Sequence, residues 1–314
     1  MVIFSEMLIH SLMYCKGRNI FPNTGRFSPQ EICNFAQNIF AMLYTKNTMH
    51  WLLTLMGCFF CVGCDMMNYH PYDGRFEGER NINATNVARI EQATAGRKDL
   101  CFAVISDTQR WYDETHKFVD HINVTEGVDF VVHCGDLTDF SVTEEFIWMR
   151  DELQHFRMPY VVALGNHDCL GTGKNTFLDM FGSFEYSFTA GNTHFVVINT
   201  NGYEFPDADD FYGEAFLRRN LRQLPPEVER TVVVMHVPPG SDQFPMDEAE
   251  DYFREVQKYP NLQFAVCGHE HSTAVRYPFP NHVPYYQAAC ADKRSYLLFH
   301  LKADGTYEYQ EILL

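Results

Sequence analysis

Two short segments carry side chains able to do chemistry: Gly165-Asn166-His167-Asp168 and Gly268-His269-Glu270-His271, each directly after an apolar run that reads as a buried strand. Asp107, Asp136 and His236 also follow apolar runs. Carboxylate, amide and imidazole groups gathered at successive strand ends form a donor set that can hold two divalent cations and act on a phosphate ester. Polar residues that merely cap and turn a strand would explain one or two such blocks, but not five.

The positioning elements are legible around these residues. Residues 100–105, 130–134, 160–164, 231–235 and 264–267 are short continuous apolar runs, the pattern of strands buried on both faces. Helical spacing recurs between them, over residues 111–124, 143–156, 177–181, 215–224 and 248–256. Alternating strand and helix predicts an α/β fold with a mostly parallel core sheet. Further strand candidates near residue 187 and over 194–198, 295–301 and 307–312 are too many for one simple sheet, which predicts two packed sheets with helices outside.

In chain order, Asp107, Gly135-Asp136-Leu137-Thr138-Asp139, Gly165-Asn166-His167-Asp168, His236 and Gly268-His269-Glu270-His271 resemble the motif set of the calcineurin-like metallophosphoesterases, over residues 99–300. The resemblance implies a four-layer αββα sandwich of two mixed sheets flanked by helices. It implies two divalent metal ions (Mn, Mg, Fe, Zn or Ca) bridged by Asp136, one taking Asp107, Gln109 and His271 and the other Asn166, His236 and His269. The implied reaction is hydrolysis of a mono-, di- or pyrophosphate ester by metal-activated hydroxide. His167 then stabilises the phosphoryl oxygen or protonates the leaving group, Asp139 orients His167, and Asp168 fixes the loop backbone. Gln109 departs from the family pattern, which most often has His there; a neutral amide oxygen is a weaker, harder donor than imidazole and favours oxygen-preferring metals.

The formal net charge of −17 supplies no basic footprint for nucleic acid, so the expected substrate is a small or membrane-derived phosphate ester. Cys101, Cys134, Cys267 and Cys290 lie in or at the end of apolar runs and read as small hydrophobes, not as disulfides or zinc ligands.

Residues 51–64 are almost wholly apolar, too short to span a bilayer as a helix but long enough for a signal segment. Val62-Gly63-Cys64 resembles the end of a bacterial lipobox, which implies lipidation at Cys64, a membrane tether and an exported, periplasm-facing or cell-surface location; Cys58 is a second candidate. The alternative is a first helix packed on the domain of a cytoplasmic protein. The first 48 residues lack a charged signal start, which leaves Met42 and Met49 as further candidate starts. The organisation expected is an extension and signal over 1–64, a polar tether and lead-in over 65–98 with a helix near 88–95, and the catalytic domain over 99–314.

Other residues receive plainer readings. His133 is expected to be a hydrogen-bonded core histidine, and His116 a remote substitute ligand at most. Asp207 to Asp210 read as a solvated loop, and residues 277–286 as either a wall of the pocket or aromatic packing. Arg110, Lys174 and Arg294 are possible phosphate contacts. A non-catalytic, membrane-tethered binding module with an impaired first metal site is the competing function, motivated by Gln109.

Overall fold

The computed structural model describes Asn34 and residues 73–205 and 211–314. The apolar segment with Cys58 and Cys64, and the Asp207 to Asp210 loop, lie outside the described residues. No described helix is long and apolar enough to cross a membrane.

One sheet contains β1 (Leu100–Ile105), β2 (Phe130–His133), β3 (Tyr160–Val162), β10 (Ser295–Leu301) and β11 (Tyr307–Leu313) in the order β11-β10-β1-β2-β3. β1, β2 and β3 run parallel, and β10 pairs antiparallel with both β1 and β11. The second sheet contains β4 (Tyr186–Ala190), β5 (Thr193–Val197), β6 (Arg230–Val234), β7 (Leu262–Cys267), β8 (Ala274–Arg276) and β9 (Tyr285–Gln287), ordered β4-β5-β6-β7-β9-β8. Its inner strands are parallel and its two edge strands antiparallel.

Side-chain alternation explains why the central strands are apolar throughout. Phe102 and Val104 of β1 point into the layer between the sheets, whereas Ala103 and Ile105 point into a second layer under helices. β6 does the same on the other side, with Val232 and Val234 facing inward and Val233 outward. Phe102 centres the inner layer: its ring stacks 5.2 Å from Phe130 and 5.2 Å from Phe299, and meets Phe195 edge-on at 5.3 Å. The outer layers are covered by α2 (Tyr112–Val124), α3 (Thr143–Leu153) and α4 (Gly173–Met180) on the first sheet's side, and by α5 (Glu214–Arg222) and α6 (Met246–Val256) on the second's, while α1 (Ile82–Thr94) lies along the edge, with Ile82 in the first outer layer and Ile90 in the inner one. This is the four-layer αββα sandwich that the resemblance implies.

Two elements differ from expectation. α4 begins four residues before the predicted 177, at Gly173. α1 begins at Ile82, not near 88, and the later part of the expected polar lead-in is thus packed on the sandwich. Its polar residues are its means of attachment. Asn83 donates to the Val162 carbonyl (3.0 Å) and accepts from the Val162 N–H (2.9 Å), and Asn86 donates to the Tyr160 carbonyl (2.8 Å). On the other sheet, Glu91 accepts from the Thr189 N–H, and the Thr94 hydroxyl accepts from the Gly191 N–H. One helix therefore covers the free edges of β3 and β4, which would otherwise present unpaired backbone groups.

Residues 277–286 serve packing: Phe279 stacks on Phe253 at 4.5 Å, and the Tyr285 and Tyr252 hydroxyls meet at 3.0 Å. Cys101, Cys134, Cys169, Cys267 and Cys290 are buried free thiols, as small hydrophobes should be.

Candidate metal centre

Parallel strands deliver their C-terminal ends to one side, and every candidate ligand sits just past such an end: Asp107 and Gln109 after β1, Asp136 after β2, Asn166 after β3, His236 after β6, His269 and His271 after β7. The chain turns sharply there. Asp107, Asp136, His269 and His271 all have left-handed backbones, with φ of 50°, 59°, 75° and 56°. Such strain costs about 1–2 kcal/mol per non-glycine residue, and its concentration at one end of the sandwich marks a site. The two motif glycines allow close approach: a Cβ on Gly165 would overlap the backbone and carboxylate of Asp136, and one on Gly268 would overlap Ser106 and Asp107.

Donor atoms of Asp107, Asp136 and His271 all lie within 4.8 Å of one another. His271 Nε2 is 3.4 Å from Asp107 Oδ1. On the other side of Asp136, Asn166 Oδ1 is 2.9 Å from His236 Nε2 and 3.1 Å from His269 Nδ1. Asp136 touches both groups, with Oδ1 3.3 Å from His236 Nε2 and Oδ2 accepting from Gln109 Nε2 at 3.4 Å. The turn after Gly268 sends His269 and His271 to different partners.

These residues suit divalent cations on two counts. Gln109 Oε1 is buried without a hydrogen-bond partner, a costly state for an amide oxygen unless something satisfies it. His236 Nδ1 lies 2.8 Å from the Cys134 carbonyl, so it donates there and turns Nε2 toward Asp136 and Asn166, the outer-partner arrangement of a metal-binding histidine. Burial opposes charge on His236, but Asp136 beside it prevails and pushes the imidazole up to about 9; a cation at Nε2 displaces that proton. Burial also opposes charge on Asp136, yet His236 and the His167 N–H hold its carboxyl below the usual range.

Asp168 fixes the loops. Its buried carboxylate accepts from the N–H groups of Gly165, Asp136, Leu137 and Thr138, at 3.0, 3.0, 3.0 and 2.9 Å. Burial, reinforced by the nearby Asp136 charge, pushes its carboxyl up to about 7.

Asp139 orients His167 by an unexpected route. The backbone carbonyl of Asp139 meets His167 Nδ1 at 3.0 Å, whereas its carboxylate pairs with Arg110. A carbonyl only accepts, so it fixes the ring's tautomer with a proton on Nδ1.

Gln109, Arg110, Trp111, His167, His271 and Lys293 line a cavity of about 210 Å³. Of the three cations considered from sequence, Arg110 alone lines it; Lys174 bonds the Glu204 carbonyl, and Arg294 pairs with Glu114. His116 on α2 is paired with Asp120 of the same helix and Glu152 of α3, and is no substitute ligand. His133 is a core histidine: Nδ1 accepts from the Gly135 N–H and Nε2 meets the Thr108 hydroxyl at 2.8 Å. Sequence reasoning missed Lys293, carried by the turn Ala291–Lys293, and Asp242, whose Oδ1 is 3.5 Å from His269 Nε2; neither has a motif or spacing to mark it. Two larger hollows, of about 570 and 560 Å³, lie around Arg97 near the opposite strand ends, where Arg97 is paired with Asp129 and Lys98 with Glu229.

The calcineurin-like phosphoesterase family model matches residues 101–273. A 3',5'-cyclic-nucleotide phosphodiesterase of Nostoc sp. is 27% identical over 161 residues, 46% of this chain and 56% of that protein. A probable cyclic nucleotide phosphodiesterase of Moraxella catarrhalis is 21% identical over 173 residues, 49% of this chain and 62% of that protein. The chain thus spans less than two thirds of the length of either curated relative. A dimetal phosphatase from Danio rerio shares the fold with a TM-score of 0.51 at 13% identity, over 68% of this chain and 98% of that one. The GAP50 anchor of the inner membrane complex of Plasmodium does so with a TM-score of 0.51 at 15% identity, over 69% and 85%. With more than half its length matched by the family model and the ordered motifs gathered at one end of the sandwich, the chain belongs to the calcineurin-like phosphoesterases.

Proposed function

We propose that this protein is a metal-dependent phosphoesterase that hydrolyses a small phosphate ester at the strand-end site. The observation that carries the reading is the convergence of Asp107, Asp136 and His271 within 4.8 Å beside the Asn166, His236 and His269 group. Asp107, Gln109 and His271 would hold one divalent cation and Asn166, His236 and His269 the other, with Asp136 shared. When bound, such a pair lowers the pKa of a water and neutralises charge on the phosphoryl oxygens.

The chain's own groups supply the rest. His167 donates its Nδ1 proton to the Asp139 carbonyl, so in the imidazolium form, which carries a second proton on Nε2, it can bond a phosphoryl oxygen or pass that proton to the departing oxygen. Arg110 lines the same cavity and can exchange Asp139 for an anionic substrate oxygen. Cyclic-nucleotide phosphodiesterases among the relatives make a phosphodiester the first class to assay, and the charge of −17 argues against a polynucleotide. We further assign residues 1–64 to an extension and export signal lipidated at Cys64, which tethers the domain to a membrane; labelled palmitate entering the wild type but not Cys64→Ala checks that tether.

Gln109 motivates the competing reading, a binding module with a weakened first site. Metal content per chain, with turnover of mono- and diester p-nitrophenyl phosphates by wild type, Asp136→Asn and His167→Ala, separates the two. Wild-type turnover abolished by Asp136→Asn is expected. Metal-loaded protein inert toward both ester types, with or without added manganese, points to the binding module.

A further inference from the structure

Cys101 differs from Cys169, Cys267 and Cys290, whose Sγ atoms turn to the backbone carbonyls of Gly165, Tyr286 and His271. Its Sγ faces a side chain instead, with His300 Nε2 at 3.8 Å. Strand register builds this contact. Cys101 of β1 lies directly opposite His300 of β10, and His300 directly opposite Glu308 of β11. Residues paired in this way project to the same face of a sheet, so thiol, imidazole and carboxylate form one row across three strands. The row belongs to the outer face of the first sheet, where Cys101 joins Leu298 in the outer core layer, and it crosses β1 near the end remote from Asp107. All three residues line the hollow of about 560 Å³ near Arg97.

Cysteine, histidine and a carboxylate are donors that zinc-like cations take. With a metal–sulfur bond of about 2.3 Å and a metal–nitrogen bond of about 2.0–2.1 Å, a tetrahedral ion holds the two donor atoms ~3.6 Å apart. The Cys101–His300 pair stands close to that spacing without a cation. The backbone is fixed beside it, because the Asp129 carboxylate accepts the Cys101 N–H at 2.9 Å. Glu308 is turned to Lys302 in an exposed ion pair, which contributes little and is readily exchanged for a cation. Around the hollow the carboxylates of Asp99, Asp129 and Glu308 outnumber Arg97 and Lys302. Burial, with the Asp129 charge, pushes the Cys101 thiol up to about 12, so it is no nucleophile by itself; a bound cation would take the place of its proton.

We propose that Cys101, His300 and Glu308 form a second metal site, for a zinc-like cation, remote from the strand-end centre and joining β1, β10 and β11. Water from the hollow completes the coordination. The two donor sets divide the metals between them: the carboxylate- and amide-rich strand-end group accepts oxygen-preferring manganese, whereas thiolate beside imidazole selects softer ions. The site does not depend on the phosphoesterase reading.

The test titrates the full chain with cadmium, a soft stand-in for zinc, in excess manganese to occupy the strand-end centre. The ultraviolet charge-transfer absorption of a cadmium thiolate is followed. Cys101→Ser should lose the amplitude of one thiolate; the remaining cysteines are common to both proteins and cancel in the difference. His300→Ala and Glu308→Gln should keep that amplitude but need at least about tenfold more cadmium to reach it. An undiminished band in Cys101→Ser overturns the proposal. So does a titration of His300→Ala or Glu308→Gln that coincides with wild type, which marks a thiol binding cadmium without a built site. Because Cys101 is buried and its variant can fail to fold, cadmium-edge X-ray absorption of the wild type at the first equivalent gives an independent reading. One sulfur neighbour per cadmium is expected. None, or two or more, which would mark cysteines elsewhere in the chain, overturns the assignment.

Discussion

Gln109 and Asp136 are in contact, with Nε2 of the amide donating to Oδ2 of the carboxylate at 3.4 Å while the other end of the same amide, Oε1, is buried with no partner. An amide held by one end and unsatisfied at the other is poised to give its oxygen to a cation. Gln109→His, which offers a stronger donor at that place, should tighten binding of one of two metal equivalents on the order of tenfold, and Gln109→Leu should abolish it. Isothermal titration with manganese reads both; unchanged affinity in both variants removes Gln109 from the ligand set.

The split role of Asp139 gives a second expectation. His167→Ala removes the imidazole and should lower kcat on the order of 10²- to 10⁴-fold, the usual range for a general acid. Asp139→Ala keeps the backbone carbonyl that orients His167 and loses only the Arg110 pair, so its effect should fall mainly on KM and stay within about tenfold. Equal loss of kcat in the two variants would mean that the Asp139 carboxylate itself acts on His167.

How much of this was legible in the sequence follows from the physics of each group. Asp107, Asp136, Asn166, His236, His269 and His271 stand out because each ends an apolar run, and parallel strands end on one side. The two sheets follow from strand candidates too many for one sheet, of which β5 and β10 are buried on both faces and β4 and β11 are not. The Asp139 contact was hidden because a backbone carbonyl makes it, and every residue has one. α1 was hidden for the opposite reason: it attaches through Asn83 and Asn86, residues that in a linear reading signal a linker. Lys293 reaches the cavity only because Ala291 N–H bonds the Asp107 carbonyl at 3.2 Å, a tertiary link with no local signature.

His133 makes stability depend on pH. Burial holds its imidazole down at about 4 from an ordinary 6.5, and the neutral ring accepts the Gly135 N–H at Nδ1. The unfolded chain therefore takes up this proton first as pH falls. The contribution is intact above 6.5, is lost progressively between 6.5 and 4, and is level below 4, on the order of 3 kcal/mol in all. Asp168, with its carboxyl raised to about 7, works in the opposite direction over the same range, so the His133 contribution is read as the difference between wild type and His133→Asn in urea denaturation from pH 7.5 to 4.5, in excess chelator so that metal uptake does not contribute. His133→Asn, whose amide oxygen can accept the Gly135 N–H, should be less stable at pH 7.5 but fall less steeply. Parallel pH profiles for the two proteins would show that His133 is not the responsible group.

Asn83 acts as a surrogate strand for Val162, satisfying both its N–H and its carbonyl at the edge of β3, three residues before Gly165. Asn83→Leu adds apolar surface to a helix facing a core, yet it leaves two buried backbone groups unpaired, at about 1–3 kcal/mol each. The loss should exceed the gain, for a net destabilisation on the order of 2 kcal/mol or more. Gln92→Leu, on an exposed position of the same helix, should stay within about 0.5 kcal/mol of wild type. Because β3 leads directly into Asn166 and His167, loosening its edge should also weaken metal binding without touching any ligand. Urea denaturation gives the first quantity and manganese titration the second. If Asn83→Leu proves as stable as Gln92→Leu, the packing of α1 on the strand edge matters more than its hydrogen bonds, and this helix holds the sandwich by apolar contact through Ile82 and Ile90 instead.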